Sequence, residues 1–119
     1  MNGELENTGR ILIYQNEKGD TKIDVYFEED TIWMTQRSMA ELYQVTPQNI
    51  TTHIKHIYED GELEQRATCK SYLQVQMEGS RQIRRDTKFY NLDMILAVGY
   101  RVRSNVGIHF RRWASSILT

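Results

Sequence analysis

Apolar and polar residues keep two rhythms along this chain, and the points where one gives way to the other mark its elements. Ile11 to Tyr14 is an apolar stretch rich in β formers, and Ile23, Val25 and Phe27 alternate with Lys22, Asp24 and Tyr26 after a polar turn containing Gly19. A period of two around a polar turn predicts a β-hairpin with one buried face. Glu28 to Asp30 form another turn, and Ile32 and Trp33 a short third strand. The apolar face of this small sheet needs a cover, which the next two segments are expected to supply. Met39, Leu42 and Tyr43 recur at helical spacing behind an N-cap at Thr35, until Gln44 and Val45 break the pattern. Thr46 then caps a second helix with Pro47 in its first position, where a missing N–H costs nothing. Its stripe is Ile50, Ile54 and Ile57, and it should run out near Gly61.

The rhythm of two returns where Leu73, Val75 and Met77 alternate with Tyr72, Gln74 and Gln76, and Gly79-Ser80 signals a type II′ turn. Strands are predicted over 71–77 and 82–90. The returning strand puts Ile83, Arg85, Thr87 and Phe89 on one face and Arg84, Asp86, Lys88 and Tyr90 on the other, a solvent-washed ribbon. Asn91 caps a third helix with Leu92, Ile95 and Leu96 inward, and Ser104 opens a fourth with Val106, Phe110, Trp113 and Ile117 in step. The fold class expected is α+β: a winged helix-turn-helix-like domain with an N-terminal β-hairpin, a β wing and two C-terminal helices. It should occupy residues 11–119 behind a flexible stretch 1–10. No stop signal precedes Thr119, so the chain reads as the N-terminal part of a longer protein.

Composition narrows the class. With 119 residues, 39% hydrophobic and 26% charged, the chain can build one core and is not disordered. A lone Cys69 makes no internal disulfide and supplies no cysteine pair for structural zinc. There is no apolar run long enough for a membrane span and no basic-then-apolar export signal, so a cytoplasmic location is expected. The net charge of −1 hides an asymmetry: residues 1–65 carry 13 acids and 5 bases, residues 66–119 carry 10 bases and 3 acids. A basic half suggests a polyanionic partner, although the same arginines also suit any solvated surface.

Thr35 to Lys55 have helix-turn-helix proportions, with small Ala40 where the second helix must cross and Ile50 as the matching plug. Turning the isoleucines inward leaves Gln48, Thr52 and Lys55 outward, flanked by Asn49, Thr51 and His56. Asn and Gln can bond adenine bidentately, Thr offers a hydroxyl or a methyl, and Lys reaches guanine or phosphate. The candidate DNA-binding residues are therefore Gln48, Asn49, Thr52 and Lys55 on the helix and Arg81, Arg84, Arg85 and Lys88 on the ribbon, the latter positioned for phosphate. Gln44 stands where such turns favour glycine, and Glu59 would repel phosphate. A helical hairpin with a polar outer face also serves proteins that bind no nucleic acid. The rival reading is a protein-interaction module, with a homodimer or a following domain docked through the C-terminal helix, which exposed apolar side chains at Phe110, Trp113 or Ile117 would favour. Catalysis is not expected: His53 and His56 lack a third metal ligand, Cys69 and His109 form no recognisable pair, and no glycine-rich phosphate loop exists. Neither a cofactor nor a metal is anticipated.

The blocks Thr31-Ile-Trp-Met-Thr-Gln36, Met39-Ala-Glu-Leu-Tyr43, Gln48-Asn-Ile50, His53-Ile-Lys55, Gly61-Glu-Leu63, Cys69-Lys70, Tyr72-Leu-Gln-Val-Gln76, Glu78-Gly79, Tyr90-Asn-Leu-Asp93 and Val98-Gly-Tyr-Arg-Val102 resemble, in order and spacing, the bacterial virulence protein RhuM family. Phe89 to Arg101 and Phe110-Arg-Arg-Trp113 are also similar in layout to the amino-terminal domains of phage and viral Bro and antirepressor proteins. The resemblance implies a DNA-binding-like N-terminal region in a family carried by pathogenicity islands and mobile elements, hence a transcriptional regulator or DNA-targeting module with duplex DNA as partner. Some relatives add a Fic domain; no Fic motif is present, so no transferase activity is implied.

Overall fold

The computed structural model describes residues 10–118. The chain runs β1 (Arg10–Gln15), β2 (Lys22–Glu28), β3 (Thr31–Thr35), α1 (Gln36–Tyr43), α2 (Pro47–Glu59), α3 (Gln65–Thr68), β4 (Cys69–Glu78), β5 (Arg81–Asn91), α4 (Leu92–Arg101) and α5 (Val106–Leu118). It is an α+β fold with one antiparallel sheet in the order β1-β2-β3-β5-β4. Arg10 already belongs to β1, one residue before the expected boundary; the rest of the stretch expected to be flexible, and Thr119, lie outside the described residues.

Two turns close the neighbouring hairpins differently. Glu29 and Asp30 both adopt positive φ, 56° and 60°, between the paired residues Glu28 and Thr31. That is the doubly left-handed geometry of a type I′ turn, adopted here without glycine. Between Glu78 and Arg81, Gly79 has φ +64° and Ser80 does not turn positive, as the type II′ expectation requires.

Directly paired residues of antiparallel strands share a face. One face of the sheet carries Tyr14, Ile23, Val25, Ile32, Met34 and Tyr90, all buried with Met39, Leu42, Tyr43, Ile50, Ile54, Ile57, Met94, Ile95, Val98 and Phe110 from the helices. The helices therefore cover the sheet on one side, and α5 reaches the far hairpin, where Tyr14 meets the rings of Phe110 and Trp113 edge-on at 5.0 and 5.2 Å. The Tyr14 hydroxyl is hydrogen-bonded to His109 Nδ1.

The N-terminal strands and the ribbon, whose relation the sequence left open, belong to one sheet: Trp33, Met34 and Thr35 pair with Asn91, Tyr90 and Phe89. Of the side chains whose exposure would favour docking through the C-terminal helix, Phe110 is wholly buried, while Trp113, against Tyr14, and Ile117 are half-buried. Burying a large aromatic ring against the β1–β2 hairpin contributes about 2–3 kcal/mol, which explains where those side chains go.

Candidate nucleic-acid interface

The turn between α1 and α2 sets the geometry. Thr35 caps α1 by accepting a hydrogen bond from the Ser38 N–H, and α1 ends at Gln44 in the left-handed conformation, φ 57° and ψ 47°. Gln44 therefore takes the backbone shape that glycine adopts most easily, and its amide donates to the Glu41 carbonyl at 2.6 Å. The Val45 N–H returns to the Ala40 carbonyl, closing the helix end. Thr46 then caps α2 through the Asn49 N–H, with Pro47 in the first turn. Capping consumes the Asn49 donor and Pro47 has none, so the Gln48 N–H is the one left open in that turn among the described residues. The helix stops at Gly61, φ +73°, where Glu62 N–H meets the Ile57 carbonyl and Gly61 N–H the Tyr58 carbonyl, a Schellman closure.

Ile50, Ile54 and Ile57 are buried, and Ala40 is buried in the same core cluster. Gln48, Asn49, Thr51, Thr52, Lys55 and His56 are consequently all exposed. Gln48, Asn49 and Lys55 make no side-chain hydrogen bond or ion pair among the described residues. Thr52 differs: its hydroxyl donates to the Gln48 carbonyl at 3.0 Å, so it offers outward a methyl and a lone pair rather than a donor. Thr51 donates likewise to Pro47 and accepts from the Gln36 amide, which brings Gln36, from the start of α1, to the same surface. Sequence spacing alone did not single out Gln36, because its neighbour is fifteen residues away. His53 sits half-buried on the flank with Nδ1 unpartnered; burial first, then Arg101 and His56, hold its pKa below the usual range.

The ribbon's cations divide between its faces. Register puts Arg84 opposite Val75 and Lys88 opposite Ser71 on the face continuous with the helix-covered side, and Arg81 opposite Glu78 and Arg85 opposite Gln74 on the other. Arg81, Arg84 and Lys88 form no ion pair among the described residues, whereas Arg85 lies 3.5 Å from Glu78 in an exposed pair worth little. Arg101, outside the ribbon, is held by Asp60 at 2.7 Å and Glu62 at 3.3 Å.

A brace on the far face fixes the root of the ribbon, and it was not visible in the sequence. Lys70 Nζ lies 4.3 Å from the Trp33 ring centroid and 2.7 Å from Glu28, and also pairs with Glu29; the Tyr72 hydroxyl donates to Glu28. Burial alone would lower the Lys70 pKa, but its hydrogen bonds to the two carboxylates outweigh burial and raise it. Phe89 is flanked edge-on by Tyr26 at 4.9 Å and Tyr72 at 5.5 Å, so Tyr72 packs between strands. Cys69 is half-buried and burial pushes its thiol pKa up, away from a reactive thiolate. Among the described residues no group of three His, Cys, Asp or Glu stands together to hold a metal, and no helix is long and apolar enough to cross a membrane.

Neither the curated proteins nor the solved structures include a match to this chain. Helices α1 and α2 lie outside the stretch that matches a protein-family model. That match bears out the sequence resemblance across the ribbon and both C-terminal helices, for residues 67–119 match the model of the virulence protein RhuM family.

Proposed function

We propose that this chain is a non-catalytic, cytoplasmic module that binds duplex DNA as a winged helix-turn-helix, serving transcriptional regulation or the targeting of a following domain. The observation that carries the reading is the outward face of α2: with the isoleucine ridge buried, Gln48, Asn49, Thr52 and Lys55 all stand exposed on one helix behind a left-handed turn. α2 enters the major groove, Gln48 and Asn49 read adenine, Thr52 meets a thymine methyl, and Lys55 reaches guanine or phosphate. Arg81, Arg84, Arg85 and Lys88 contact phosphates, which fixes register without choosing sequence.

The test is selection of genomic fragments with the purified chain, followed by affinity measured against salt. Each neutralised phosphate contributes about −0.9 to the slope of log K against log salt. Lys55→Ala should change the selected sequence, while Arg84→Ala should weaken all duplexes alike and reduce the slope by about one. A flat slope, or no duplex bound, refutes the reading.

A second reading, a homodimer or interdomain contact through the C-terminal helices, has one observation in its favour. Tyr100 and Ile108 stand exposed at an open depression of about 970 Å³ between α4 and α5. Sedimentation of the chain with and without Ile108→Lys distinguishes it: a monomer in both cases removes the homodimer.

A further inference from the structure

Building on the duplex-DNA reading, we propose that the β4–β5 ribbon is a DNA-bending arm whose apolar stripe, Leu73, Val75 and Met77, presses into the minor groove beside the segment held by α2. The ribbon projects beyond its braced root. β5 pairs with β3 only through Phe89, Tyr90 and Asn91, so from residue 71 to residue 88 the strand ladder runs between β4 and β5, with the Tyr72 contact to Glu28 at its base. From Ser71 to Glu78 the arm spans about 24 Å at a strand rise of about 3.4 Å per residue.

The stripe is out of place on a surface that only grips phosphate. Leu73, Val75 and Met77 are 56%, 50% and 65% exposed, on the same face, and none of them belongs to the hydrophobic core of the described residues. Their direct cross-strand partners are Asp86, Arg84 and Gln82. The outer half of this face thus combines Val75 and Met77 with Arg84 and Gln82, and its one acid, Asp86, lies toward the root. Arg and Gln read minor-groove edges and width, while Leu and Met are among the side chains that wedge between base steps and kink the duplex. Alternate strand residues are also about 6.8 Å apart, close to two base-pair steps. A second copy of the chain is a poor occupant, because two arms each bearing Arg81, Arg84, Arg85 and Lys88 against Glu78 and Asp86 repel one another.

The experiment uses the full chain and a short duplex carrying the selected site, labelled at its ends for energy transfer. Val75→Thr with Met77→Thr removes the wedge from half-exposed positions while keeping β-forming residues, and an unchanged melting temperature verifies the fold. The wild-type chain should bring the ends closer, as a kink of about 20–90° requires. The double variant should bind with the same salt slope, within about tenfold of wild-type affinity, and leave the duplex straight. Arg84→Ala should weaken binding yet retain the bend. Binding without bending, or an equal bend by the double variant, overturns the arm and leaves duplex binding standing; no binding to duplex overturns both. A straight duplex, together with binding to mixed zwitterionic and anionic phospholipid vesicles that the double variant loses, assigns the stripe to lipid and overturns the arm.

Discussion

Gly99→Ala tests the packing that orients the helix pair, because here the ordinary helix preference points the wrong way. Gly99 lies inside α4, where alanine is normally better by about 1 kcal/mol. A Cβ at that position would lie 2.5 Å from the Tyr43 hydroxyl and 2.9 Å from its ring carbon Cζ. Tyr43 cannot step aside cheaply: it is buried, and its hydroxyl donates to the Ile95 carbonyl at 2.6 Å. Overpacking costs about 1–3 kcal/mol and loss of the hydrogen bond about 0.5–1.5, so after the helix gain the net destabilisation is about 2 kcal/mol. Urea unfolding should give a lower midpoint with an unchanged slope, and the melting temperature should fall by about 8 °C. In a Tyr43→Leu background, which removes the ring, Gly99→Ala should become neutral or stabilising. Since Tyr43 immediately precedes the left-handed Gln44, the single variant should also lower duplex affinity. An increase in stability of about 1 kcal/mol, or identical effects in both backgrounds, would refute the close approach.

Other outcomes follow from single residues. Arg103 follows the end of α4 in the left-handed region, φ 57°, within a Schellman closure to Gly99 and Tyr100; Arg103→Gly should stabilise by about 0.5–1 kcal/mol in urea unfolding. His53 has a folded pKa held down by burial, Arg101 and His56, so the unfolded chain binds its proton first. Stability is full above about pH 6.5 and declines as pH falls through the folded pKa, and His53→Gln should flatten that decline in a pH series of melting temperatures. Lys70 has the opposite sign: its pKa is raised in the fold, so its contribution is full below about pH 10 and is lost as pH rises further. Lys70→Met should cost about 1 kcal/mol at neutral pH and weaken that alkaline dependence, as read by chemical unfolding at several pH values.

Much of this architecture was legible because its signals are local. Thr46 and Pro47 announced the start of α2, Gly61 its end, and the spacing of Ile50, Ile54 and Ile57 its buried face; capping and period are written within a few residues of where they act. The hairpin turn at Gly79-Ser80 was legible for the same reason. What was missed depends on partners distant in sequence. The Trp33–Asn91 pairing that joins the ribbon to the N-terminal strands, and the Lys70–Glu28–Trp33 brace, join residues whose own neighbourhoods say nothing of each other. Short α3 carries too few residues to establish a period. Phe110 read equally as core or as docking surface, since apolar spacing on a terminal helix does not say which hydrophobic surface it finds. The exposure of Leu73, Val75 and Met77, by contrast, agrees with the solvent-washed ribbon expected from its mixed faces.

Three residue pairs join the two halves of the sheet, and α1, α2 and α3 are all inserted in the chain between the strands that meet there. The seam is clasped on both sides: Met34 and Tyr90 are buried in the core beneath the helices, and Lys70 and Tyr72 contact Glu28 on the side away from them. Because the same seam anchors both the segment carrying Gln48 to Lys55 and the strand carrying Arg81 to Lys88, a twist of the seam changes the angle between them. The relative setting of those two segments is therefore fixed by packing on both sides of the seam rather than by its three strand pairs alone.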